Sequence, residues 1–198
     1  MKKIIQEIKQ NKLLLILTIP TIISILLGIL FPAILSKSNK ELITSSIKDF
    51  IDAISKNNIN YLSGLISSLT NNILVTILIW ILGISLIGIP FLLIIILFKG
   101  FLTGFSFSSI LITYGIKGII TAIVYTIPNI LNLLGSFLLG YYAISFSIAL
   151  YKSVFKKELR NWNLIIKRYL KIGLIFLLFS IAISLLETFA LPKILNFL

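Results

Sequence analysis

The chain contains no cysteine and no histidine, and only six of its 198 residues are acidic. Each absence removes a class of chemistry. Without cysteine there is no disulfide framework, no thiolate nucleophile and no thiolate metal site. Without histidine the commonest general base and the usual zinc ligand are gone as well. No Ser-His or Cys-His pairing can be assembled, and the cysteine count leaves the redox compartment open. Charged residues of either sign make up 12% of the chain, about half of what a soluble domain carries.

What fills the chain instead is hydrocarbon. It is 58% hydrophobic with a mean hydropathy of +1.10. The run Trp80 to Phe105 is almost continuously apolar, broken only by Gly88-Ile89-Pro90 and by Lys99-Gly100. A helix apolar on every face has nothing to show to water, so such runs belong in a bilayer. The sequence predicts an all-α integral membrane protein of one domain with about five transmembrane helices, some of them broken by Gly and Pro. An extracytoplasmic amphipathic helical segment accompanies them. The formal charge of +12 does not indicate nucleic acid, because lysine and arginine cluster at the ends of the apolar runs. Membrane orientation and anionic lipid contact account for them.

Met1 to Lys12 reads as a short interfacial helix with Ile4, Ile5 and Ile8 on one face. The uncharged run that follows is too long for the apolar core of a signal peptide, so it is expected to be retained as a span, over 13–35. Ser38 with Glu41 reads as a capping box, and Ile43, Ile47, Phe50, Ile51 and Ile54 recur at helical spacing. The segment 38–72 is therefore expected to be helical and to lie on the membrane surface or on a partner. Further spans are predicted over 73–98, 100–117, 120–151 and 172–192, with 100–117 short enough to be re-entrant instead. A break is expected at Pro128-Asn129, and a basic loop over 152–171.

That loop carries seven positive residues against Glu158, and the N-terminal segment four against Glu7. Both should be cytoplasmic. The C-terminus then lies outside, as does the segment 38–72, and Lys99-Gly100 marks a cytoplasmic boundary between two spans. No internal repeat is convincing.

No catalytic, cofactor or metal site follows from the residues. Candidate structural or functional positions are Pro90, Lys99, Gly100, Gly104, Pro128, Asn129, Glu187 and Pro192. Glu187 is the one acid inside a predicted span, and an acid there is a functional candidate by default. The bland reading is that it reaches the headgroups beside Pro192-Lys193. For Lys99 the bland reading is snorkelling to the interface. Asn129 and Asn132 are suited to interhelical hydrogen bonds, and Gly100-x-x-x-Gly104 to close helix contact.

The wording WILGISLIGIPFLL, then FKGFLTGFS, then IPN followed by LNLL, and finally SLLETFALP, resembles the stage II sporulation protein M family. The resemblance runs from about Asn72 to Pro192. It implies a polytopic, non-enzymatic protein of the mother-cell and septal membrane in endospore formers, needed when that membrane engulfs the forespore. It further implies a scaffold for peptidoglycan degradation, holding stage II sporulation protein P directly and protein D indirectly, with no cofactor. Many broader relatives carry Pro-His-Gly and a Glu after the helix-breaking proline, whereas here Pro128 is followed by Asn129 and later Asn132. Any role resting on that acid is not transferable. A transporter subunit, with a cavity at the broken helices gated by Lys99 and Glu187, is the alternative reading. Close-packing glycines leave a homodimer open.

Overall fold

The computed structural model describes residues 12–56, 60–156 and 161–196. The interfacial helix expected over Met1 to Lys12 falls almost wholly outside them, as does Glu158. Among the described residues the secondary structure is helical throughout. The elements are α1 (Lys12–Ile34), α2 (Lys37–Ser55), α3 (Tyr61–Leu82), α4 (Gly88–Tyr114), α5 (Ile119–Lys156), α6 (Trp162–Leu185) and α7 (Leu191–Asn196). A 3₁₀ turn, Gly115–Gly118, joins α4 to α5, and a π-helical turn, Leu186–Ala190, joins α6 to α7.

Four stretches are long and apolar enough to cross a bilayer: Lys12–Ile34, Tyr61–Leu82, Gly88–Phe155 and Trp162–Asn196. The third, at 68 residues, is more than three times what one crossing needs. It folds back at Gly115, whose φ of 63° is a conformation that side chains with a Cβ rarely adopt. In hydrocarbon every backbone polar group must be paired within the segment, which forces these runs into helices.

Not every glycine or proline breaks a helix: the chain turns just before Gly88-Ile89-Pro90 and at Gly115–Gly118, but not at Gly100 or Pro128. The spans expected over 73–98 and 100–117 are not the ones formed. The chain turns at Gly83–Ile87, and α4 runs unbroken through Lys99-Gly100. The turn is held from outside: the Ser147 hydroxyl donates to the carbonyls of Gly83 (2.5 Å) and Ser85 (3.3 Å). Gly100 is a packing position rather than a breaker, since a Cβ there would strike Ser24 of α1. Pro128 lies inside α5, and Pro20 and Pro32 inside α1, without ending either helix. A proline forfeits one backbone bond, whereas a break in lipid would expose several.

Two polar segments divide differently from expectation. Of 152–171, residues through Lys156 extend α5 and residues from Trp162 belong to α6. Of 38–72, only the first part is the amphipathic α2, and Tyr61 onward is already α3. The cap of α2 is Ser36, which accepts from the Asn39 amide, and not Ser38 with Glu41. Asn60 and Asn161 cap α3 and α6 in the same way.

α1 and α4 run side by side in the same direction in close contact. Gly28 of α1 faces the Phe101 carbonyl, and Gly104 of α4 faces the Ile25 carbonyl, leaving no room for a Cβ at either position. α3 and α6 are antiparallel, with Gly173 against the Trp80 ring and the Tyr169 hydroxyl on the Trp80 carbonyl at 2.5 Å. The core between these pairs is built from Leu17, Ile79, Leu92, Ile96, Leu133, Leu139 and Ile144. A second cluster, Ile54 with Leu191 and Leu195, seats α2 on α7 at one end of the bundle, reinforced by Phe50 edge-on to Tyr125. Lys12, Lys152 and Lys156 belong to helix ends that lie at the opposite end, and Lys167, Arg168 and Lys171 to the N-terminal part of α6 that starts there.

Candidate functional site: a polar seam between the membrane helices

Through this apolar bundle runs a continuous line of hydrogen bonds. It begins at Lys99, near the middle of the 27-residue α4. The Lys99 ammonium donates to Asn132 Oδ1 of α5 at 2.6 Å. The Asn132 amide nitrogen donates to Asn72 Oδ1 of α3. The Asn72 amide nitrogen donates in turn to Ser184 Oγ at 3.0 Å, Ser68 Oγ at 3.3 Å and Glu187 Oε2 at 3.4 Å. Ser68 Oγ donates to the same Glu187 oxygen at 2.5 Å. One turn deeper, the hydroxyls of Thr76 and Ser180 pair at 2.5 Å.

Local sequence explains the alignment. Ser68, Asn72 and Thr76 recur every fourth residue and so line one face of α3. Ser180 and Ser184 do the same on α6, and their hydroxyls also bond back to the carbonyls four residues earlier, Phe176 and Ser180. The π turn supplies the last step. Its wider winding carries Glu187 onto the seam, and π-helical turns are frequent where a side chain needs such placement.

The electrostatic cost of this seam is high. A charged side chain at the centre of a membrane helix costs about 2.5–3.5 kcal/mol even when it can relax toward the interface. Lys99 and Glu187 are not in direct contact, and two asparagine side chains stand between them. An amide donates on one side and accepts on the other, so Asn132 satisfies the cation while passing its donor toward the acid. Lys99 is therefore not a boundary residue snorkelling between two spans. It sits within a helix whose backbone continues for more than ten residues on either side.

Two clefts open on the seam. One, of about 290 Å³, is bounded by Leu78, Ile94, Phe98 and Leu102, with Lys99 and Asn132 at its floor. The other, of about 360 Å³, lies toward the α2 end and is lined by Ser68, Tyr125, Glu187 and Pro192. Asn71 and Asn129 line both, so the two are neighbours along one groove.

Of the residues singled out by sequence, Lys99 and Glu187 thus meet through one network, with Asn129 and Pro192 beside it. Gly100 and Gly104 serve the α1–α4 contact instead. Pro128 is buried within α5, and Pro90 lies exposed in the first turn of α4, away from the seam. Asn72, Ser68 and Ser184 were not singled out. Their signal was present: a polar residue every fourth position in a span, repeated on two helices.

The fold and seam define a multi-pass helical membrane protein with ionisable residues joined through amide side chains inside the bundle. The stage II sporulation protein M family model matches residues 16–192, nearly the whole chain, and the protein belongs to that family. It is therefore a sporulation-related membrane protein. No curated protein and no solved structure matches it.

Proposed function

We propose that this protein is a non-enzymatic membrane anchor of the peptidoglycan-degrading complex that drives forespore engulfment. In this reading it sits in the mother-cell and septal membrane and holds stage II sporulation protein P directly and protein D through it. Family membership supports the sporulation context. The observation that carries the anchor is α2. Its apolar face is committed to the bundle through Ile51 and Ile54, while Glu41, Asp49 and Asp52 remain exposed on the other side. A docked helix that keeps a charged face outward offers that face to a partner.

In this reading α1 and α3 to α6 are five crossings. With the basic end inside by the lysine and arginine rule, α2 and α7 lie outside, where wall hydrolases work. The test replaces Glu41, Asp49 and Asp52 together by lysine, leaving the packed face untouched. The anchor reading expects membrane levels to hold while hydrolase recruitment to the septum and engulfment fail. Normal recruitment in that variant would remove α2 as the docking surface.

The seam favours a second reading, a transporter subunit in which Lys99 and Glu187 handle an ion along the groove. It expects Glu187→Gln to abolish function at an unchanged membrane level, with hydrolase recruitment intact.

A further inference from the structure

The geometry points to the Lys99 cleft as the docking site for a transmembrane helix of a partner protein that carries one carboxylate at the depth of the bilayer centre. Lys99 lies about 17 Å along α4 from Gly88, at 1.5 Å per residue, and so near mid-depth. Its ammonium has three N–H donors. Among the described residues one is used, on Asn132 Oδ1, and no carboxylate lies within ion-pair distance. Glu187, the nearest acid along the seam, is bound instead by Ser68 and Asn72.

The cleft around this cation is open to lipid on its outer side. Leu78, Ile94, Phe98 and Leu102 stand along its walls and are 41–61% exposed. The site thus offers an apolar rim that fits the side of a helix, with one positive charge and the half-buried amides of Asn129 and Asn132 between its walls and the exposed Asn71 at its edge. Charge complementarity selects the occupant. An ammonium at this depth with no carboxylate in contact is stabilised most by one delivered within the hydrocarbon, and a transmembrane helix delivers one there whereas a lipid headgroup stays at the interface. If the partner is the wall hydrolase assembly, this inference rests on the anchor reading, and it adds an intramembrane contact to the outer one at α2.

The absence of native cysteine makes the test direct. The full chain carrying Phe98→Cys is reconstituted in phosphatidylethanolamine and phosphatidylglycerol vesicles. An oligo-leucine peptide of about 20 residues, bearing one cysteine and a central Glu, Gln or Lys, is added to span the bilayer. The Glu peptide should form the disulfide at least about tenfold more than the Gln peptide, a difference of about 1.4 kcal/mol. Lys99→Met should erase that preference, and Lys99→Glu should transfer it to the Lys peptide. Equal capture of the Glu and Gln peptides by the parent chain overturns the proposal whatever the variants do. So does a Glu preference that survives Lys99→Met, or coupling of Phe98→Cys chains to each other in preference to the peptide. Since no hydrolase is present, failure here leaves the anchor reading to its own test at α2.

Discussion

Asn132 is bonded on both sides of its amide, accepting from Lys99 Nζ at 2.6 Å while donating to Asn72 Oδ1. One side chain thereby joins three helices, α3, α4 and α5, and Asn72 extends the link to α6. Polar contacts between membrane helices average about 0.6 kcal/mol and reach about 1.7. A chain of them ending on charges at both ends is worth more to the fold than its isolated members, since removing a link strands an ion.

Asn132→Leu should therefore destabilise the bundle by more than an ordinary interhelical bond, by about 2–4 kcal/mol, because Lys99 loses its one described partner. Asn72→Leu should cost about 1–2 kcal/mol, since Ser68 still holds Glu187. The double variant should cost less than the sum of the two, as expected for residues sharing one bond. Unfolding in lipid bicelles, read for all three variants, checks the order. Additive costs would show that the two amides act separately.

Glu187 provides a sharper discrimination between charge and hydrogen bonding. Its Oε2 accepts from Ser68 and Asn72. Glu187→Gln keeps an acceptor in that place, so the same unfolding measurement should shift by less than about 1 kcal/mol. Glu187→Leu leaves the Ser68 hydroxyl without its acceptor, whereas Asn72 keeps Ser184 at 3.0 Å, and should cost about 1–3 kcal/mol. A large loss in the glutamine variant would mean that the negative charge itself stabilises Lys99 through the seam.

The glycines give a prediction about assembly. Gly28 and Gly104 face backbone carbonyls across α1–α4, whereas the nearest atom to a Cβ at Gly64 would be Thr188 Cγ2 at an ordinary 3.8 Å. Gly28→Val and Gly104→Val should push the helices apart and lower the yield of protease-resistant protein severalfold, while Gly64→Ala should be neutral. These glycines are spent within one chain, so a homodimer would need another surface. Loss of a dimer band with no loss of resistance would reverse that assignment.

The all-helical bilayer architecture was legible because hydrocarbon imposes it on any long apolar run. Gly100-x-x-x-Gly104 marked a close-packing stripe, but its partner α1 was not legible, because Gly28 is distant in sequence. The turn at Gly83–Ile87 was only half legible: Gly88-Ile89-Pro90 marked a break in the run, yet a span was expected straight through it over 73–98. It depends on Ser147, which satisfies that turn's carbonyls from more than sixty residues away. Lys99 was misread for a related reason. Charge in an apolar run looks like a boundary until a partner is seen, and its partner Asn132 is separated from it by the whole α4–α5 hairpin. Nor could sequence place Glu187 on the seam, because a π turn has no reliable local signature.

Orientation is open to a direct measurement that the cysteine-free chain makes simple. Ile87, at the basic end, is 78% exposed, and Ile116, in the turn after α4, is 85% exposed. Thr44 lies on α2, at the same end of the bundle as Ile116. With the lysine-rich helix ends inside, single cysteines at Thr44 and Ile116 should react with a membrane-impermeant maleimide in intact cells. One at Ile87 should react only after permeabilisation. The three positions must report as a group if the chain crosses five times, which would put Thr44 and Ile116 on one side and Ile87 on the other. Labelling of Ile87 alone would turn the bundle over, place α2 in the cytoplasm and remove it from the reach of any wall hydrolase.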